Sequence, residues 1–410
     1  MSQSALFVTY DGLLDPLGGS QILPYLRGIS AHPRKLHVIS FEKQDRFQEG
    51  ATQLRDSLAL DGISWSPLPF TARFGAAGKF WDFGRMCATA VVLQLRHRFA
   101  VVHCRSYQAM GVGWLLGRLS FAQTIFDMRG FWVDDRFDGG RWRLDSLVGR
   151  VLFKLMKRIE ARLLQSASTI VVLTEAAAIE VPRLAPESTA SIWVIPCCAD
   201  YDHFHIPAVD ERRKIRGEIG LPEDAFVISY LGSLGGLYRF EAMLRLFKAA
   251  ANAEELARFF IITKDWSLKH EQEIDRLEMR HLRERIVVRG AARSEVPELL
   301  AVSDVMLCFY RPGFSRIGTS PTKLAEAFAL GVPVICNSGI GDVDQIVDSL
   351  GAGRVIDLEN PGAAESVAND LPRIRGMGGQ ELRERSRILF GLEVANDAYR
   401  RVYDSVANPA

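Results

Sequence analysis

Ser320, Thr322, Lys323 and Glu326 fall within one short stretch, SPTKLAEAFALGVPVI, running from Ser320 to Ile335. At the start of a helix, free backbone N–H groups beside two hydroxyls and an ammonium form a site for a diphosphate. A carboxylate one turn deeper can accept hydrogen bonds from a pair of sugar hydroxyls. The punctuation predicts that helix: Ser320 suits the N-cap, Pro321 the first helical position and Gly331 the left-handed stop. Pro333 prevents continuation, and Val332, Val334 and Ile335 read as a strand. The same spacing equally fits an N-cap and a local Lys–Glu pair on a helix surface.

Three further stretches combine glycine or charge with the end of an apolar run. In DGLLDPLGGSQILPYLRGI, Gly18 and Gly19 allow close backbone approach and Ser20 can cap the next helix, giving an anion or sugar cradle or a plain tight turn. The G-x-G-x-x-G spacing of a dinucleotide fingerprint is absent. In YLGSLGGLYRFEAML, Gly232, Ser233, Gly235 and Gly236 free the backbone, and Arg239 stands where a helix begins, placed for phosphate. In FDMRGFWVDDRFDGGRW, Asp127, Arg129, Asp134, Asp135 and Arg136 alternate with Phe131 and Trp132, as a sugar site or a salt-bridged surface loop would require. Asp342 and Asp344 read as helix capping, so no metal is assigned.

The elements that must position these residues are short apolar runs alternating with helical patterns. ALFVTY, KLHVIS, VVHC, TIFDM, TIVVLT and SIWVIP form one series; AFVISYLG, RFFIITK, RIVVRG, VMLCFY, VPVICN and AGRVID form a second. Such alternation predicts an α/β chain of two doubly wound, Rossmann-like parallel-sheet domains. The break falls in VIPCCADYDHFHIP, Val194 to Pro207, giving domains 1–200 and 201–388. Ligands of such sheets bind beyond the carboxyl ends of the strands, so the expected site is a central cleft that the two domains face.

Composition narrows the classes. A chain of 410 residues exceeds one ordinary core, and 50 basic against 49 acidic residues exclude a general nucleic-acid binder. The six cysteines form no C-x-x-C pair, and MSQSALFVTYDG lacks a signal peptide's pattern, so reduced thiols and a cytoplasmic location are expected. No apolar run is long enough to span a bilayer. Gly140 to Gln165 holds seven basic and two acidic residues, with Arg150, Lys154 and Lys157 on one helical side and Val148, Leu152, Leu155 and Ile159 on another. That is a basic amphipathic helix, suited to packing on the sheet or to peripheral contact with an anionic membrane at its inner face.

Taken together, these residues resemble glycosyltransferase family 4, retaining nucleotide-sugar enzymes of GT-B fold. The resemblance spans nearly the whole chain: the GGSQ loop, the VIPCCADYDHF crossing, the Glu-x-x-A-x-G-x-P-V type signature at Glu326, and the tail FGLEVANDAYRRVY. It implies that residues 389–410 form a final helix returning to an acceptor-binding N-terminal domain, with 201–388 binding the donor. It implies that Glu326 holds the donor ribose and that Ser320, Pro321, Thr322 and adjoining amides face the diphosphate. Gly18, Gly19, Ser233 and Gly235 would line the donor. The first glutamate of the family's pair falls at Gly318, the glycine-loop Arg and Lys at Ser233 and Tyr238, and the acceptor-side His around Asp127 to Arg129. Arg239, Lys323 and Arg316 would then supply the cations, and Asp127 and Arg129 would orient acceptor or sugar. The implied function is metal-independent, cofactor-free transfer of a sugar from a nucleotide diphosphate sugar to a glycan, lipid-linked or small-molecule acceptor, in surface polysaccharide or glycoconjugate assembly. A catalytically inert binding subunit and a sugar-nucleotide epimerase are the alternatives, the first kept open by Gly318.

Overall fold

Among the described residues thirteen strands, all pairing in parallel, organise the chain. The computed structural model describes residues 4–31, 34–142 and 144–407. The chain divides into two compact units: Met1–Pro196 with Ile317–Thr319 and Leu392–Ala410, and Cys197–Arg316 with Ser320–Gly391.

The first unit holds β1 (Ser4–Thr9), β2 (Lys35–Glu42), β3 (Ile63–Pro69), β4 (Val101–Arg105), β5 (Gln123–Asp127), β6 (Thr169–Val172) and β7 (Ser191–Val194). Their order in the sheet is β3-β2-β1-β4-β5-β6-β7. The central strands read as continuous apolar runs because helices cover both faces. β3 has no counterpart among the runs read from the sequence. Its ISWSPLP mixes polar residues with Pro67 and Pro69, which an edge strand tolerates because one row of its N–H groups is unpaired. The helix Leu392–Ala407 belongs to this unit and buries Ala395, Tyr399, Val402, Tyr403 and Val406.

The second unit holds β8 (Phe226–Leu231), β9 (Ala257–Ile262), β10 (Ile286–Arg289), β11 (Val305–Cys308), β12 (Val334–Asn337) and β13 (Gly353–Ile356), ordered β10-β9-β8-β11-β12-β13. Each sheet reverses strand order once, at β1/β4 and at β8/β11, where neighbouring loops diverge and leave a crevice at the carboxyl ends.

Candidate functional site

At the β8/β11 reversal the second unit places Lys323 among three tyrosines. Its ammonium stands 4.5 Å from the ring centre of Tyr230, 4.1 Å from Tyr238 and 5.8 Å from Tyr310. Tyr230 comes from β8, Tyr310 follows β11, and Tyr238 closes the glycine loop by a bridge to Tyr310. Burial pushes the Tyr230 and Tyr310 hydroxyls well up, so both rings stay neutral and offer their π-faces to the cation. The Tyr230 hydroxyl accepts from Lys323 Nζ at 3.4 Å. Among the described residues no carboxylate forms an ion pair with this ammonium, whose residue is 8% exposed. Gly232 makes its approach possible: its φ is +126°, and a Cβ there would meet Nζ at 3.0 Å.

One turn along the same helix, Thr322–Ala329, lies Glu326, also buried. Arg293 Nη1 donates to its Oε1 at 2.5 Å, while the Arg293 guanidinium lies 5.0 Å from the Phe204 ring centre. Burial pushes the Glu326 carboxyl up, opposed by Arg293 and Lys323. Oε2 forms no hydrogen bond among the described residues and is not among the sealed polar atoms. Arg293 escaped the sequence reading, although its place just beyond β10 marks it as a carboxyl-end residue.

The cap differs from expectation. Pro321, in extended backbone, is the N-cap and the helix begins at Thr322. The Ser320 hydroxyl instead accepts from the Cys197 N–H at 3.1 Å, tying the helix start to the segment opening this unit. Ser233 and Gly235 lie exposed in the glycine loop. Arg239 caps the following helix but pairs with Glu359 at 3.2 Å, so it is not an uncommitted cation. Arg316 is buried, donates to Ser315 Oγ at 2.7 Å, and its carbonyl accepts from the Gly341 N–H.

In the first unit, Gly18 and Gly19 sit inside a short helix, Pro16–Gln21, and do not form a loop. Gly18 is buried against the carbonyls of Gly12 and Leu13, and Ser20 Oγ donates to the Pro16 carbonyl at 2.9 Å, so it caps no helix. Gln21, another residue the sequence reading passed over, accepts from Arg129 Nη2 at 3.3 Å. Arg129 has a left-handed φ of +59°, and Ser106 just past β4 one of +71°; strained backbone gathers at this reversal as well.

Asp127 is corrected more strongly. It was expected on an accessible loop, but its carboxylate is sealed, 3.3 Å from Arg105 Nη1, 3.7 Å from His103 Nε2 and accepting from the Tyr399 hydroxyl at 3.2 Å. Burial alone would push it up, yet Arg129, His103 and Arg105 overcome burial and hold it at about 2. An ion so enclosed holds its neighbours and does not touch a ligand. Nearby, Asp134 and Glu160 converge on Lys157 Nζ, and Tyr107 donates to Glu160, so Asp134 is structural. Asp344 Oδ2 accepts from the Gly339 N–H at 3.3 Å, a local turn contact.

Gly318 belongs to the first unit with Ile317 and Thr319. A Cβ there would stand 3.0 Å from Phe131 Cδ2 and 3.1 Å from Gly130 Cα. The Thr174 hydroxyl donates to the Ile317 carbonyl at 2.7 Å and fixes the segment. There is no ready space for the side chain that the family pattern places at this position.

Residues 36–198 match the family described as glycosyl transferase 4-like domain, and residues 225–372 match glycosyl transferases group 1. Curated proteins yield no sequence match. Among solved structures the chain is similar to Anabaena HepE in complex with UDP and glucose, at 16% identity and TM-score 0.69, over 98% of this chain and 99% of that one. It is also similar to sucrose-phosphate synthase from Thermosynechococcus elongatus, at 16% identity and TM-score 0.71, over 98% and 99%. A glycosyltransferase from Rickettsia africae is similar at 13% identity and TM-score 0.68, over the full length of both.

Proposed function

We propose, from the chain's membership of the GT-B glycosyltransferases through its 4-like and group 1 domains, that it is a retaining enzyme drawing its sugar from a nucleotide diphosphate donor bound in the second unit. The observation that carries this reading is Lys323: a buried side chain whose ammonium forms no ion pair among the described residues, Glu326 being taken up by Arg293, and which is held by three aromatic faces at the sheet's reversal. Sealing a lone charge costs several kcal/mol unless an anion completes it. A diphosphate supplies that anion, and the amides opening the helix Thr322–Ala329 would add partial positive charge. Sugar departure builds negative charge on the diphosphate, and a fixed cation lowers the barrier by meeting charge where it develops.

Glu326 Oε2 would accept from the donor ribose while Arg293 holds Oε1. Arg239 would join the phosphates by exchanging Glu359 for them. In a retaining front-face route the leaving phosphate oxygen takes the acceptor's proton, so the chain's own task is to place charge and exclude water. Arg129 and Gln21 would orient the acceptor, a glycan, glycolipid or small molecule, with Asp127 acting through Arg129. HepE, solved with UDP and with UDP-glucose, lends support to a nucleotide sugar as donor. Work at the cytoplasmic side, in surface polysaccharide or glycoconjugate assembly, completes the proposal.

Thermal shift with UDP-, GDP-, ADP- and dTDP-sugars tests it. One base should raise the melting temperature of the wild type, and Lys323→Met, which keeps length and apolar contact, should abolish the shift while the unliganded protein still melts cooperatively. No response to any base, or an equal response in the variant, would remove the donor reading.

A further inference from the structure

We propose that the exposed side of the helix Leu147–Ser166 docks this chain on an anionic lipid surface. The helix is turned against the usual economy of a water-facing segment. Its inward side carries Gly149, Glu160, Leu163 and Leu164, and Glu160 is engaged by Lys157 and the Tyr107 hydroxyl. Its outward side carries Val148, Val151, Leu155 and Ile159, which are 78%, 59%, 51% and 37% exposed. At 3.6 residues per turn these four fall within an arc of about 80°. Leu144 and Leu147 extend the apolar surface past the amino end.

Val148, Leu152, Leu155 and Ile159 were expected to share an apolar side, with its partner left open; Leu152 is partly buried, while Val148, Leu155 and Ile159, joined by Val151, stay exposed. A helix that buries a carboxylate and exposes a valine–leucine stripe is poorly matched to water on both sides. Burial raises the Glu160 carboxyl, consistent with the cost of that orientation.

Charge identifies the occupant. Arg150, Lys154, Arg158 and Arg162 are exposed along the same helix, and among the described residues none of them forms an ion pair. The helix's one carboxylate is the buried Glu160. Four unpaired cations alongside an apolar stripe complement acidic headgroups over acyl chains: the side chains enter the boundary while the cations remain at headgroup depth. An apolar protein partner would leave these cations without counter-charges. Contact at the surface also agrees with there being no helix among the described residues long and apolar enough to cross a membrane.

The test is vesicle co-sedimentation of the full chain, with phosphatidylcholine alone and with about a third phosphatidylglycerol. The wild type should pellet with the acidic vesicles, stay mostly soluble with the neutral ones, and be released by salt. A surface cation contributes roughly fivefold in partitioning, so Arg150→Glu with Lys154→Glu should weaken it at least roughly thirtyfold. Val151→Asp with Leu155→Asp should abolish it while the protein still melts cooperatively, because each residue is more than half exposed. Equal pelleting on neutral lipid, no pelleting on acidic lipid, or indifference to both double variants would overturn the proposal. So would size-exclusion behaviour showing a dimer that the aspartate variant splits, which would assign the stripe to a second copy. Nucleotide thermal shifts are read separately, so failure here leaves the donor site standing.

Discussion

An ammonium enclosed by aromatic faces is a reporter of what it lacks. Lys323 is shared among three rings, and cation–π attraction is worth about 2 kcal/mol or somewhat more when desolvated, less than full desolvation of the charge costs. Glu326 differs, because its charge is already answered by Arg293. Removing either partner therefore has distinct consequences. Glu326→Ala should weaken nucleotide binding by about 1–3 kcal/mol, the range for charge-assisted hydrogen bonds lost from a buried site. Arg293→Met should weaken it by a similar amount through a different route: burial then protonates Glu326 more readily, so binding should strengthen again as pH is raised. Calorimetric titration at two pH values checks both, and a pH-independent loss in Arg293→Met would show that Arg293 does not act through Glu326. Spacing placed Lys323 and Glu326 one turn apart on one helix but fitted a surface Lys–Glu pair equally well, and only the family resemblance pointed them at a ligand; the structure shows both buried. Arg293 was not legible, because the sequence cannot show that a loop beyond β10 returns to a helix beyond β11.

At the scale of elements, alternation of apolar runs made twelve of the strands legible, while β3 was hidden by Pro67 and Pro69. The same logic misplaced the GGSQ segment, whose two glycines sit in helical backbone, and could not set the rotation of the helix Leu147–Ser166. An amphipathic pattern says that a helix has two sides; which one faces inward depends on partners such as Tyr107, far away in sequence. Gly318 shows the opposite case, an element whose local packing explains a departure from family pattern. Thr174 and Phe131 fix the 317–319 segment so closely that an added Cβ forces its neighbours to shift by a few tenths of an ångström. Gly318→Ala should lower stability by about 1–3 kcal/mol, as overpacking does, and Gly318→Glu by more. Denaturant unfolding checks this; a Gly318→Glu protein as stable as wild type would show that space exists for the family's carboxylate and that its absence has another origin.

At the scale of the whole chain, the division into two sheets follows from the restart of the strand series, but the path of the polypeptide does not: the first unit includes both the opening residues and Leu392–Ala407. What holds this last helix is polar as well as apolar. Tyr399 donates to Asp127, Tyr403 is hydrogen-bonded to His103 Nδ1 at 2.9 Å, Arg34 pairs with Asp404, and Arg400 Nε donates to the Gly28 carbonyl at 2.9 Å. The Asp127 carboxyl is held near 2, below its ordinary 3.8. Because the folded value is the lower one, its contribution is complete above about pH 4 and is lost as pH falls towards 2. At about 1.4 kcal/mol per unit that contribution is roughly 2–3 kcal/mol. Asp127→Asn should therefore flatten the acid limb of the stability curve, and should cost about 3–5 kcal/mol at neutral pH because Arg105 and Arg129 lose their shared counter-charge. A chain ending at Gly391 should be destabilised further, since Tyr399, Tyr403 and Val402 leave an apolar scar over β4 and β5. Urea unfolding from pH 2 to 7 separates the two effects. If Asp127→Asn keeps the wild-type acid limb, the carboxylate is not the group that titrates, and the Tyr399 contact with it contributes nothing that depends on its charge.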